Sequence, residues 1–311
     1  MAYNQKIVRA LSKRGPPERV VEEQIPIKNA AGTVTNVYQA CIGGFWRNVI
    51  VQWFKNIMNI SFSITVDCVE GESSQTCKIE LKPWHFWSKK GYKFFEIDAG
   101  RQPFDESPHQ LEVYWDIRSA KFSGSPEPCS DYYVALVFDE EIVLLLGDYK
   151  KKAYRTTKKR PALLDAVQSL KKEVVYAKKS FSTRARFAEA RGEHDIVVES
   201  SMAESRDPEM WISIDGIVLV HVKNLQWKFR GNETVMVNKL PIQVFWDVHA
   251  WLFLEPGAGY GLFIFKPGAA ESELDGSGRG SENSNGSVFY SSSSQTRAPD
   301  FYLFLNAWKI E

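Results

Sequence analysis

The sequence predicts an all-β protein: two tandem antiparallel modules, sandwich-like or barrel-like, arising from an internal duplication and joined by one basic amphipathic helix. Three observations predict it. Short runs rich in Val, Ile and aromatic residues recur at close intervals, punctuated by Gly, Pro, Ser or Asp. The runs on either side of residues 150–179 resemble one another in order. A helical period is found only within 150–179.

Taken in order, residues 1–35 mix charges of both signs with Gly15, Pro16 and Pro17 and read as a disordered arm. The first β module spans 36–149, with strands expected at NVIVQWF (48–54), ISFSITVD (60–67), CKIELKPW (77–84), YKFFEI (92–97), LEVYWDI (111–117), YYVALVF (132–138) and EIVLLLG (141–147). Residues 150–179 hold eleven Lys or Arg against two acids. Pro161 suits a first helical turn, and Leu163, Val167, Leu170 and Val174 form one helical stripe, so a linker helix is expected. The second module, 180–311, resumes with TRARF (183–187), DIVVES (195–200), MWISID (210–215), IVLVHV (217–222), LQWKF (225–229), TVMVN (234–238), IQVFWDV (242–248) and GLFIF (261–265). Asp215-Gly216 is a two-residue hairpin signal. Residues 269–298, with nine Ser and four Gly, read as a disordered loop, and FYLFLNAWKI (301–310) as a returning strand.

The duplication rests on three blocks. LEVYWDI aligns with IQVFWDV, matching Val113 with Val244, Trp115 with Trp246 and Asp116 with Asp247. Trp87 and Gly91 align with Trp227 and Gly231 upstream, and DYYVALVF (131–138) matches GYGLFIF (259–265) downstream. The offset between copies falls from 140 to 131 across the first two blocks, which puts about nine extra residues in the first copy, at 99–110. Trp87, Trp115, Asp116, Trp227, Trp246 and Asp247 are therefore expected to be structural anchors of the repeat. Trp84, Trp87, Trp251 and Trp308 are the tryptophans to inspect for exposure.

Composition narrows the function. Thirty-nine Lys and Arg against 38 Asp and Glu leave a net charge of +1, which disfavours wholesale binding to polyanions. No window approaches the ~20 apolar residues of a membrane helix, and the N-terminus lacks the apolar core of a secretory signal. A soluble protein of the cytoplasm or nucleus is expected. Cys41, Cys68, Cys77 and Cys129 form no CxxC pair and read as free thiols, although Cys68 and Cys77 flank a turn-like stretch. The five histidines lack zinc-helix spacing, so no metal site and no cofactor is expected. Asp116 and Asp247 invite an acid–base reading, but a carboxylate copied into both halves suits a local duty such as capping a turn. His249 shares a strand face with Asp247, yet no GxSxG nucleophile motif accompanies it. GAGYG (257–261) precedes a strand, whereas a phosphate cradle needs a helix behind it. No catalytic residue is assigned, and the reading leans away from an enzyme.

The chain resembles a plant protein family catalogued as domain of unknown function 868. The resemblance is carried by VYQACIGGFWRNVIVQWFKNIMNISFSITVD (37–67), KIELKPWHFWSKKG (78–91), VYWDIRSAKFSGSPEP (113–128) and LLLGDYKKKAYRTTKKRPAL (144–163). HDIVVES (194–200), WISIDGIVLVHVKNLQWKFRGN (211–232), VFWDVHAWLF (244–253) and AWKIE (307–311) complete it. It implies a plant origin and a shared β-rich fold, and no activity.

The function expected is that of a non-enzymatic binding or scaffold protein in plant cells, its partner protein and oligomeric state unknown. The candidate binding surface is the cationic set Lys150, Lys151, Lys152, Arg155, Lys158, Lys159, Arg160, Lys171 and Lys172, which suits anionic lipid or nucleic acid phosphates. One alternative is a carrier or enzyme that holds a small lipid or glycan in a β cavity. The other is binding to an anionic membrane surface through the basic linker. The Ser-rich loop is a candidate for phosphorylation.

Overall fold

A single nine-stranded sheet runs through both halves of the chain. The structure is a computed structural model that describes residues 32–55, 60–67, 75–81, 89–97, 109–188, 192–202, 207–268 and 300–310. The arm before residue 32, Cys68, Trp84, Trp87 and the Ser-rich loop lie outside the described residues.

The first half builds two meanders. β1 (Gly32–Ile42), β2 (Phe45–Lys55), β3 (Ile60–Val66) and β4 (Gln75–Leu81) form one. β5 (Lys90–Ile97), β6 (His109–Asp116), β7 (Tyr133–Phe138) and β8 (Glu141–Leu146) form the other, extended by α1 (Lys150–Thr157) and the two-residue β9 (Arg160–Pro161). β10 (Val167–Ala177) then crosses into the second half. There β11 (Ser180–Ala185), β12 (His194–Ser201), β13 (Glu209–Ile214) and β14 (Ile217–Val222) form a third meander. β15 (Arg230–Val237), β16 (Leu240–Asp247), α2 (His249–Phe253), β17 (Tyr260–Pro267) and β18 (Tyr302–Lys309) form the fourth.

The large sheet runs β15-β16-β17-β18-β10-β1-β2-β3-β4, joining the last meander to the first through β10. β10 pairs antiparallel with β1 (Val34 opposite Glu173) and parallel with β18 (Glu173 beside Leu305). The sheets β5–β9 and β11–β14 both cover the same face. Strand alternation shows this: Val34, Asn36, Lys171, Glu173, Leu303 and Leu305 share one side of the pleat, and all are buried. Trp53, Phe62 and Trp115 fill the first sandwich core, with Trp53 and Phe62 rings 4.8 Å apart. Trp251, Phe263 and Phe265 fill the second, where Trp251 Nε1 donates to the Ala177 carbonyl at 3.1 Å.

Turn chemistry shapes the hairpins. Asp215 and Gly216 both take positive φ, 52° and 77°, the conformation a two-residue turn of matching twist requires. Asp139-Glu140 and Asn238-Lys239 do the same without glycine, at φ from 46° to 65°.

Four expectations are corrected. The linker is a helix only over Lys150–Thr157, and Val167–Ala177 is a central strand. The stripe Leu163, Val167, Leu170, Val174 fits a helix by spacing, but Leu163 is 93% exposed and buries nothing. The strand's period of two is masked because its buried side carries Lys171 and Glu173, which read as solvent-facing charges. Pro161 sits in β9 at a sheet edge, where its missing N–H costs no ladder bond. The two halves are fused through one sheet instead of being strung in tandem on a linker. Gly32–Thr35 belong to β1, not to a disordered arm, and Leu225–Trp227 form a turn, not a strand.

Candidate functional site

Where the two smaller sheets meet above β1 and β10, the apolar cores give way to a polar seam. Asn36 Nδ2 donates to Glu127 Oε1 at 2.8 Å, and Gln168 Nε2 donates to Asn36 Oδ1 at 2.9 Å. Lys171 Nζ reaches Glu127 Oε2 at 2.9 Å and the Arg184 carbonyl at 3.0 Å. Thr183 Oγ1 donates to Glu173 Oε2. Buried charges persist only when paired and hydrogen-bonded, and each of these is. Burial pushes the Glu173 carboxyl upward, more than the nearby Lys171 draws it down. Burial by itself would lower the Lys171 ammonium, but Glu127 and Glu173 outweigh it and hold the value up.

Above this floor lie two adjoining cavities of about 710 and 540 Å³. Both are lined by Glu127, Tyr132 and Lys150 from the first half and by Lys171, Arg184, Arg186 and Glu193 from β10 and beyond. Arg184 Nε is tied to Asp195 Oδ1 at 2.9 Å, while Arg186 and Glu193 are exposed at the rim. Tyr38 lines the larger cavity. Burial, reinforced by Glu127, keeps the Tyr38 and Tyr132 phenols far above their ordinary range, so both stay protonated hydrogen-bond donors. Cations, carboxylates and phenols thus converge on one cleft at a junction between modules, a common location for ligand sites.

The nine cations singled out by the sequence do not form one surface. Lys152 meets Asp116 at 2.9 Å, Lys159 lies between Glu112 and Glu140, and Arg160 meets Glu141 at 2.9 Å. Lys171 is in the buried seam, and Lys172 faces the opposite side of β10. Lys150, Lys151, Arg155 and Lys158 are exposed on or beside α1. The cleft's Arg184, Arg186, Glu127 and Glu193 were not singled out, because their convergence depends on β10 bringing the halves together.

The residues that align between the two halves occupy matching places. Gly91 stands opposite Trp115 and Lys90 opposite Asp116, as Gly231 stands opposite Trp246 and Arg230 opposite Asp247. The Ile117 N–H donates to the Lys89 carbonyl at 2.8 Å, and the Val248 N–H to that of Phe229 at 2.9 Å. Asp116 Oδ1 accepts the Arg118 N–H at 3.3 Å, and Asp247 Oδ1 accepts the His249 N–H at 3.4 Å. Asp116 also holds the Arg118 guanidinium through both oxygens, at 2.9 and 2.8 Å, and Asp247 Oδ2 holds that of Arg230. The two carboxylates lie on different sheets. Trp227 departs from the anchor reading: it is 82% exposed in a turn and packs into no core. Trp251 is fully buried, Trp308 half-buried. His249 opens α2 and packs its ring against Phe229, leaving the strand face it was expected to share. Cys41, Cys77 and Cys129 are free thiols. Among the described residues no cluster of His, Cys, Asp and Glu has the arrangement of a metal site, and no helix is long and apolar enough to cross a membrane.

Fold and site together define an all-β protein in which two sandwiches share one sheet and flank a polar cleft. The chain belongs to the family described as plant protein of unknown function (DUF868), whose model matches residues 29–309. No curated protein and no solved structure matches it.

Proposed function

We propose that the chain is a non-enzymatic binding protein that holds a polar, hydroxyl-bearing ligand of glycan type, carrying charge, in the cleft between its sandwiches. The observation that carries this reading is the cleft of about 710 Å³ in which Tyr38, Tyr132, Glu127, Lys171, Arg184 and Arg186 converge. Its volume suits a ligand of two or three rings, and protonated phenols beside paired charges suit hydroxyl groups. Saturation-transfer NMR with a panel of neutral, acidic and phosphorylated sugars tests it. Signals that vanish in Arg186→Glu and persist in Arg155→Glu support the reading. A silent panel, or signals indifferent to Arg186, overturns it.

The same reading treats the two halves as copies of one ancestral unit, on the strength of their matching Gly–Trp and Asp registers. Asp116 and Asp247 then serve the scaffold in each copy, tying the turn after the strand to a neighbouring cation. The membrane-surface alternative draws less support, since Lys152, Lys159, Arg160 and Lys171 spend their charge on carboxylates of the chain itself.

A further inference from the structure

The first half shows how this fold receives a helix. α1 lies on the outer face of β6–β8, where Ala153 packs against Tyr133, Ala135 and Val137, and all four are fully buried or nearly so. From the preceding residue, Lys152, the ammonium reaches Asp116 Oδ2 at 2.9 Å, completing a carboxylate already held by Arg118. The helix is thus seated by two features, a small residue against the sheet and a lysine on the carboxylate at the strand end.

The second half repeats the seat without the helix. Asp116 faces Tyr133 and Tyr114 faces Ala135 across β6–β7; Asp247 faces Leu262 and Phe245 faces Ile264 across β16–β17. Phe304 follows Ile264 on β18, as Leu145 follows Ala135 on β8. In the second half each of these positions is apolar except Asp247. Yet Phe245 is 38% exposed and Leu262, Ile264 and Phe304 are only half-buried, where Tyr133 and Ala135 are sealed. Among the described residues Asp247 has one cationic partner, Arg230, and its side chain is 33% exposed against 1% for Asp116. A cavity of about 470 Å³ opens at that carboxylate, walled by Phe229, Arg230, His249, Tyr260 and Leu262. Aromatic walls beside a carboxylate suit an ammonium group.

We propose that this outer face, from Phe245 to Phe304 with Asp247 at its end, is the docking site for an amphipathic helix of a partner protein. That helix presents a lysine to Asp247 and, at the next position, a small residue to Leu262 and Ile264, in the manner of α1. Both the apolar match and the charge complementarity come from the occupied copy of the same seat. The site is separate from the polar cleft, on the opposite face of the nine-stranded sheet, and does not depend on the ligand held there.

The test uses the full chain and a fluorescein-labelled, hydrocarbon-stapled peptide of residues 148–158, since a helix this short does not hold its shape alone. Fluorescence anisotropy is expected to show saturable binding that weakens at least tenfold with Phe245→Glu, an exposed position whose change leaves the cores intact. The same loss is expected when the peptide lysine matching Lys152 is replaced by Met, a change that cannot disturb the protein's folding. Absence of saturable binding up to millimolar peptide overturns the proposal, as does binding indifferent to both changes. Displacement of the peptide by vesicles of anionic phospholipid, with the vesicles alone bound through Phe245, also overturns it in favour of a membrane surface.

Discussion

A methyl group built on Gly231 would stand 2.4 Å from Trp246 Cζ2, and one on Gly91 would stand 2.9 Å from Trp115 Cζ2. The strand pair closes on the indole in both halves because the facing residue has no side chain. Gly231→Ala is expected to cost about 1–3 kcal/mol, the range for overpacking a filled core, and Gly91→Ala less. Urea unfolding of the two variants checks the order. Asp116 supplies a pH-dependent contribution. Burial would raise its carboxyl, but Arg118 and Lys152 outweigh burial and hold it well below the usual carboxylate range. A lowered folded-state value means stability present above the ordinary value near 4 and lost as pH falls through the folded one. Asp116→Asn is therefore expected to lose roughly 1.5–3 kcal/mol at pH 7, the difference from wild type shrinking steadily in urea titrations toward pH 2. At this scale the sequence was informative. Trp115, Asp116 and Gly91 could be matched to Trp246, Asp247 and Gly231 by letter alone, because such close contacts tolerate few residue types. Trp227 shows the opposite case: a tryptophan letter carries no record of whether its ring finds a core, and this one is exposed.

Among the elements, β10 decides the architecture and was the least visible. Most strands announced themselves by alternation, since one side of each faces an apolar core. β10 faces the seam, where Lys171 and Glu173 take the inward positions and Leu170, Val174 and Tyr176 the outward ones. Over Leu170–Val174 the polar–apolar sense is reversed, before Val175 and Ala177 turn into the second core, and the residual pattern fits helical spacing equally well. Val174 pairs with Thr33 on one side and Asn306 on the other. Proline there removes a donor and forces a fixed φ in a central strand, so Val174→Pro is expected to abolish folding, seen as loss of the far-ultraviolet β signal. Proline at Arg155, near the end of the exposed side of α1, is expected to leave that signal intact.

For the molecule as a whole, the shared sheet implies that the halves unfold together. Calorimetry is expected to show one transition with equal calorimetric and van't Hoff enthalpies, and two resolved peaks would count against a common unit. Lys171→Met leaves buried Glu173 and half-buried Glu127 without their cation and is expected to cost about 3–5 kcal/mol, while Lys171→Met with Glu127→Leu recovers part of the loss. Denaturant midpoints of the three chains decide this. The cleft was not legible in the sequence, since its walls come from three stretches, Tyr38, 127–150 and 171–193, and the pairing of β10 with β1 draws them together. The fold class was legible, because it depends on local alternation and turn residues.

The parallel partnership of β10 with β18 also governs the order of events on the ribosome. More than 120 residues must be synthesised after Ala177 before Tyr302–Lys309 emerges to flank it. Until then β10 is the edge of the sheet it forms with β1–β4, and its backbone groups on the β18 side have no strand to pair with. An unpaired strand edge of this kind is a template for wrong pairing between chains, and the last strand to be made is the one that closes it.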